Sequence, residues 1–417
     1  MKYKVFWCKV NKYYTDEWLN STYLRDKSWV FIASCVVTDN AKRKWIKYVK
    51  QELKTLKNDE KIYISWCGAF EKWEENKEFF NIYTQLKDFQ DKLEILPESP
   101  NDKKENNTPS ININKLKNIS NKTSLTTKKF LVIQWWCDSY CTFCLTVIKR
   151  WKHFYKSRED IVDEITNFEI LWWKEVVLTW VNLCAWGLES TNDYKNSKFD
   201  ELLEYILKKT DIPRIRISSL WPEFITDKTI ELFKNKRIMP HFHFSIQSWS
   251  TDVLKFMKRH YDGLYMRDLL TKIKNIKRDD LVDVSIWADI IVWFPWETDK
   301  DFLDTYNLIK DFELQKIHAF PFSSHTLWES VPASFFKSQV NEIEKKQRLN
   351  KILELWEKIR QDFIKSQTKK PLEVLIETFN DWIFKWWTSN YIEITNENFE
   401  VLEWNIWKNE IVLWRLK

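Results

Sequence analysis

The sequence predicts an α/β protein that ends in a small β-barrel, and three observations carry that prediction. From residue 1 to about 96, short apolar runs ending in cysteine alternate with charged helical stretches. From residue 130 to 370, six further apolar runs alternate with helical ones. Residues 371–417 lose the helical period and show only short β-like runs. Strands alternating with helices imply parallel sheets, whose strand carboxyl ends gather at one edge, where ligands bind. At 417 residues the chain is long enough for two or three domains with a real core. Hydrophobic residues make up 44% and charged residues 30%, a globular balance, and no apolar run approaches a membrane span. Met1-Lys-Tyr-Lys-Val-Phe6 reads as a strand and not a signal peptide, so a cytoplasmic chain with no membrane partner is expected.

In the first block (1–96) the expected strands are Tyr3–Cys8, Val30–Cys35 and Ile62–Cys67. Three strand ends of one parallel sheet can bring Cys8, Cys35 and Cys67 together, although they lie 27 and 32 residues apart. Three converging thiolates would hold a [4Fe–4S] cluster with one iron open. The alternative is three ordinary buried cysteines, since free cysteine is among the most buried residue types. Residues 97–129 read as a polar linker: seven lysines stand against two acids between Asn101 and Lys129, which accounts for most of the chain's formal +6. Such a segment can touch RNA phosphates or simply be solvated.

In the second block (130–370) strands are expected at 130–136, 175–181, 213–218, 241–247, 284–292 and 316–321. Helices are expected at Ser157–Leu171, Phe199–Lys209 and Asp299–Phe312, with a closing helix at Gln339–Lys365. Six such units make a partial (β/α)6 barrel. The run Phe130–Ile133 leads into Gln134-Trp-Trp-Cys137-Asp-Ser-Tyr-Cys141-Thr-Phe-Cys144. Cys137, Cys141 and Cys144 have the C-x3-C-x2-C spacing that holds three irons of a [4Fe–4S] cluster and leaves the fourth for S-adenosylmethionine (SAM). A zinc knuckle prefers paired C-x2-C units and four ligands, and no second pair lies nearby. The loop follows a strand, the end at which α/β barrels place their chemistry. In the tail (371–417), runs at Leu372–Ile376, Tyr391–Thr395 and Ile411–Leu416 fit a small antiparallel barrel. Its six basic and eight acidic side chains from Lys369 onward do not favour RNA.

One count is anomalous. The chain has 3 glycines and 26 tryptophans, which together reach about 7%, the usual share of glycine alone. Tryptophan stands at turns where a bare backbone is expected, as at Trp135-Trp136, Trp172-Trp173, Trp293-Phe-Pro-Trp296 and Trp386-Trp387. The expectation is that many of these codons are UGA, read as glycine in the source organism.

With that substitution, the residues resemble the radical SAM methylthiotransferases over nearly the whole chain. Trp7-Cys8-Lys9-Val10-Asn11, Cys35-Val-Val-Thr38-Asp39 and Trp66-Cys67 look like the family's auxiliary-cluster domain. The C-x3-C-x2-C barrel and a tail similar to the TRAM RNA-binding barrel follow. Trp7–Asn11, Leu178-Thr-Trp180-Val-Asn182-Leu, Arg214-Ile-Arg216-Ile-Ser218-Ser219 and His241-Phe-His243 are most similar to the branch acting on N6-threonylcarbamoyladenosine at tRNA position 37. The resemblance implies two [4Fe–4S] clusters and SAM, the tRNA anticodon loop as partner, a low-potential electron donor and an unnamed sulfur donor. It also implies hydrogen abstraction from carbon 2 of the adenine, followed by sulfur insertion and methylation. Isopentenyladenosine and a ribosomal-protein aspartate are the alternative substrates of this class. A non-catalytic iron–sulfur RNA-binding protein is the alternative of another class, and a zinc-binding structural protein a third.

The same resemblance suggests SAM contacts. Trp172, Trp173 and Glu175 look like a glycine-rich turn at the SAM amino end. Gln247, Ser248 and Arg259 follow the fourth strand, and Val292 lies in Ile291–Glu297, which looks like the strand-end segment beside the adenine. Arg150 and Arg158, after the cysteine loop, can meet tRNA phosphate or SAM, or form surface salt pairs. Cys184 is expected to be a buried thiol, and His241, His243 and His260, on and after a strand, are expected to be structural. The linker is longer than the family's usual one, and His325-Thr326-Leu327 stands where a more basic segment is expected.

Overall fold

The computed structural model describes residues 2–6, 9–24, 29–35, 37–57, 59–65, 86–96, 127–135, 137–145, 153–325, 330–337, 341–368, 370–377, 379–380, 383–384, 386–394, 399–401 and 410–416. They fall into two compact units, one around the N-terminal sheet and one holding the barrel strands and the tail.

The first unit is a four-stranded parallel sheet in chain order: β1 (Lys2–Val5), β2 (Trp29–Ala33), β3 (Lys61–Ser65) and β4 (Leu93–Ile95). Helix α1 (Lys9–Leu19) follows β1 and α2 (Asp39–Leu53) follows β2. Thr38 caps α2 by accepting a hydrogen bond from the Ala41 N–H at 3.1 Å. All five residues of β2 are buried because both faces are covered. Val30, Ile32, Ile62 and Ile64 pack on Trp45, Ile46 and Val49 of α2. Phe31, Ala33 and Tyr63 face the other way, onto Trp18, Leu24 and Leu96. The short, half-buried β4 is absent from the sequence reading.

The second unit contains six parallel strands: β5 (Lys128–Val132), β8 (Glu175–Thr179), β9 (Arg214–Ile217), β10 (His241–Gln247), β11 (Ser285–Val292) and β12 (Lys316–Pro321). They form two three-stranded sheets, β5-β8-β9 and β10-β11-β12, linked by an isolated parallel bridge between Leu220 and Phe244. A two-stranded ribbon, β6 (Gln134–Trp135) with β7 (Phe154–Tyr155), sits beside the first sheet in sequence. The helices are α3 (Arg158–Ile170), α4 (Phe199–Lys209), α5 (Asp227–Leu232), α6 (Thr251–Phe256), α7 (Gly263–Lys274), α8 (Asp299–Asp311) and α9 (Glu342–Ser366). Ser157, Thr226, Ser250, Asp262 and Thr298 cap five of them, so the sequence signals for helix starts lie just beyond each strand-end loop.

The tail forms a five-stranded antiparallel sheet ordered β17-β16-β13-β19-β18, from β13 (Pro371–Leu375), β16 (Trp386–Thr388), β17 (Glu393–Ile394), β18 (Phe399–Val401) and β19 (Ile411–Leu416). A separate pair, β14 (Phe379–Asn380) and β15 (Ile383–Phe384), lies between. Leu372, Val374, Trp386, Ile394, Val412 and Trp414 form its core, with Phe363 and Ile364 of α9 packed against it.

Candidate active site

The cysteine loop leaves the carboxyl end of β5, as the spacing predicts, and neighbouring strand-end loops fix it. Asp138 Oδ2 accepts from Ser190 Oγ at 2.7 Å, and its Oδ1 accepts from the Thr191 N–H at 2.7 Å and from Thr191 Oγ1. Ser139 Oγ lies 2.8 Å from Thr191 Oγ1. On the other side the Thr142 N–H donates to Met257 O at 3.2 Å, and Thr142 Oγ1 to Phe256 O at 2.7 Å. The loop is therefore held between the segments that follow β8 and α6.

Cys137 and Cys141 are buried and Cys144 is partly exposed. Burial pushes the Cys137 thiol up to about 11, and the Cys144 charge adds to that. Burial likewise pushes Cys141 up to about 12; the Arg259 charge opposes it, and Cys137 and Cys144 reinforce it. Two buried thiols beside a third, partly exposed one resist ionising while no cation is near. They suit a bound cationic metal centre, which takes thiolates outright.

Arg259 is the sequence-predicted SAM residue that the fold brings to this loop. Its Nη1 donates to Cys141 Sγ at 3.7 Å and its Nη2 to Ser245 O at 3.1 Å, with Glu223 Oε2 at 3.6 Å. Its guanidinium lies 4.0 Å above the Trp221 ring. Gln247 and Ser248 end β10 just beyond Ser245; both are buried, and Gln247 has φ 67°. Val292 ends β11, also buried. Trp293 follows it with φ 67°, and its N–H donates to Glu297 Oε2 at 2.8 Å.

Trp172, Trp173 and Glu175 are corrected. They lie at the amino end of β8, where Glu175 pairs in register with Lys128, at the opposite strand end from the cysteine loop. Trp172 and Trp173 close the C-terminus of α3. Glu175 is fully buried and bonded to Arg214 at 2.8 Å and Arg216 at 2.6 Å. Burial raises the Glu175 carboxyl, but Arg216, then Arg214, more than offset this and bring it down to about 2. It serves an ion-pair network, not the cofactor.

The residue that sequence reasoning passed over is Asn182, three residues beyond β8. It is fully buried, and neither its Nδ2 nor its Oδ1 has a hydrogen-bond partner among the described residues. A buried orphan amide beyond the carboxyl end of β8 can offer a donor and an acceptor to a polar group that enters there. Cys184 is a buried thiol, pushed up to about 12 by burial. Arg158 is a surface residue paired with Glu159, and His260 stacks on Tyr194 at 5.0 Å. Arg150 lies outside the described residues.

In the first unit, Cys35 is buried two residues past β2, while Cys8 and Cys67 lie outside the described residues. The strand ends that lead to all three are tied together. Buried Asn11 donates from Nδ2 to Phe6 O at 3.1 Å and to Ser34 O at 3.0 Å. Ser34 Oγ donates to Ser65 O at 2.7 Å.

Comparison with known proteins agrees with this geometry. The Radical SAM superfamily model matches residues 131–309. The threonylcarbamoyladenosine tRNA methylthiotransferase MtaB of Bacillus subtilis is 31% identical over 69% of this chain and 62% of its own length. The ribosomal protein uS12 methylthiotransferase RimO of Alkaliphilus oremlandii is 32% identical over 58% of this chain and 53% of its own. A tRNA-2-methylthio-N(6)-dimethylallyladenosine synthase of Clostridium botulinum is 32% identical over 62% and 55%. The chain thus spans less than two thirds of the length of these relatives. The solved radical S-adenosylmethionine methyltransferase TsrM from Kitasatospora setae aligns with a TM-score of 0.47 at 9% identity, over 72% of this chain and 65% of that one. The chain thus carries a radical SAM domain that begins just before this cysteine loop, and the relatives it resembles at 31–32% identity are methylthiotransferases.

Proposed function

We propose that this chain is a cytoplasmic tRNA methylthiotransferase that converts N6-threonylcarbamoyladenosine at position 37 to its 2-methylthio derivative. The observation that carries the reading is the braced cysteine loop, with two thiols buried and Arg259 against Cys141. Cys137, Cys141 and Cys144 would hold a [4Fe–4S] cluster, which with SAM supplies radical chemistry at an unactivated C–H bond. The chain's own residues hold and shield. Asp138 and Thr142 fix the loop, Asn182 offers a donor and an acceptor to the SAM amino-acid end, and Gln247, Ser248 and Val292 line the neighbouring strand ends. Cys8, Cys35 and Cys67 would hold a second cluster that carries the sulfur. The lacing of their strand ends through Asn11 and Ser34 supports that reading. In the same reading, residues 1–96 form the auxiliary-cluster domain, 97–129 a linker, 130–370 the barrel and 371–417 a TRAM-like module for the tRNA anticodon loop. A low-potential electron donor and a sulfur donor complete the system. Many tryptophan codons are read as glycine; the left-handed backbone at Trp172, Trp293 and Trp296 supports this.

The substrate preference rests on the segment Cys8-Lys-Val-Asn11 and on the MtaB relative. The test is nucleoside mass spectrometry of tRNA from a host that lacks its own tRNA methylthiotransferases and expresses the glycine-restored gene. Methylthio-threonylcarbamoyladenosine is expected. Methylthio-isopentenyladenosine would overturn the substrate, and neither product with both clusters loaded would overturn tRNA modification and direct the assay to ribosomal protein.

A further inference from the structure

We propose that His243, Asp289 and His318 form a mononuclear site for a divalent transition-metal ion, separate from the cysteine clusters. The three residues come from β10, β11 and β12, neighbouring parallel strands of one sheet. Asp289 and His318 are register partners, and His243 is the partner of Trp287, two residues before Asp289. Residues two apart on a strand share a face, so the three side chains rise from the same side of the sheet.

Asp289 Oδ1 lies 2.9 Å from His243 Nε2 and 3.2 Å from His318 Nδ1, and the three ligand atoms all lie within 4.8 Å of one another. Ligands bound to one ion at about 2.0–2.2 Å stand about 3 Å apart when they are neighbours on it, so these separations suit ligation with little movement. Two imidazoles and one carboxylate are the donor set of three-ligand zinc and non-haem iron(II) sites, and they leave positions open. The side chains are graded in exposure: 6% for His243, 23% for Asp289 and 34% for His318. The open positions therefore face the His318 side, where water or a substrate oxygen can enter. Both histidines direct a nitrogen at the same carboxylate oxygen, an arrangement that a single cation at their centre satisfies at once. None of the three residues is a thiol, so the site stands whether or not the cysteines bind iron.

The test uses the full-length, cluster-loaded chain with cobalt(II) and zinc(II) as probes. One added equivalent of cobalt(II) is expected to give weak d–d bands without the intense sulfur-to-metal charge-transfer band of a cysteine site. In the same chain His318→Gln and Asp289→Asn should each weaken binding at least 10-fold. Zinc-edge X-ray absorption of the unaltered chain should show two imidazoles and oxygen neighbours with no sulfur, a readout that does not depend on the variants folding. Sulfur ligation, unchanged binding in the variants, or no stoichiometric binding would overturn the site and leave His243, Asp289 and His318 as a hydrogen-bonded triad only.

Discussion

Trp172 occupies a position that physical chemistry reserves for glycine. It follows α3, its N–H donates to Glu169 O at 2.8 Å, and the next N–H, of Trp173, donates to Phe168 O at 2.9 Å. That bonding is a Schellman stop, whose left-handed residue is usually glycine, and Trp172 has φ 64°. Trp296 has φ 70° after Pro295, in a turn closed by the Glu297 N–H on Phe294 O at 2.9 Å, which is the glycine position of a type II turn. A side chain held left-handed costs about 1–2 kcal/mol. Trp172→Gly, at a residue that is 76% exposed, should therefore raise the unfolding free energy by about 1 kcal/mol in denaturant titration, whereas at Trp296 the same gain is offset by loss of the ring stacked on Phe336. Trp386 is the opposite case: it lies in β16, fully buried and 4.6 Å from Trp414. Trp386→Gly should lower stability by about 3–5 kcal/mol, the cost of emptying a large core site. The sign of each substitution thus sorts turn positions from core positions. Arg259 makes a second case at this scale. Removing it as Arg259→Ala leaves the buried Glu223 carboxylate without its cation, at a cost of about 3–5 kcal/mol, checked by the shift of the denaturant midpoint.

Elements were legible in the sequence wherever burial is two-sided. The expected strand at 241–247 is the observed β10, all seven residues buried, and the expected helix at Phe199–Lys209 is the observed α4. An uninterrupted apolar run is what a strand covered on both faces requires. The cysteine loop was legible because its three cysteines are local, within eight residues of one another. What was not legible depends on partners distant in sequence. At Trp172–Glu175 a helix stop and a ligand-hugging turn ask for the same glycine, so the sequence alone does not separate them. Only the fold shows that Glu175 is engaged by Arg214 and Arg216 of β9. The pairing of His243 with Asp289 and His318 was hidden for the same reason. The strand-end segment after β11 carries a pH prediction. Burial pushes the Glu297 carboxyl up to about 7 from an ordinary 4.5, and the Trp293 N–H and the Arg348 charge only partly oppose it. A raised carboxyl binds more protons in the folded state between those values. Its stabilising contribution is fully present below about 4.5 and is lost as pH rises through about 7. Chemical denaturation between pH 5 and pH 8 should show this fall, and Glu297→Gln should flatten it.

Within the second unit, the tail sheet and the barrel strands share one set of interactions. Arg216 of β9 donates from Nη1 to Ser389 O at 3.1 Å and lies 4.4 Å from the Tyr391 ring, while Lys128 of β5 pairs with Glu377. Asp283, just before β11, accepts from Gln367 Nε2 at 2.6 Å and pairs with Lys370 at 2.5 Å. Phe363 and Ile364 of α9 lie against the tail core. A tail bound this way is not an independent bead on a linker, because its removal takes Glu377 from buried Lys128 and uncovers an apolar helix face together. Ending the chain at Ser366 would take Ser389, Tyr391 and Glu377 from Arg216 and Lys128, both of them buried. Arg216 keeps its Glu175 pair, but Lys128 loses the Glu377 carboxylate, and breaking a buried pair from one side costs about 3–5 kcal/mol, a large share of a domain's stability. Barrel and tail should accordingly unfold in a single calorimetric transition in the full chain, and the chain ended at Ser366 should lose that transition or accumulate as aggregate. Two resolved transitions in the full chain, with the upper one retained after truncation, would instead mean that these contacts are too weak to couple the two sheets.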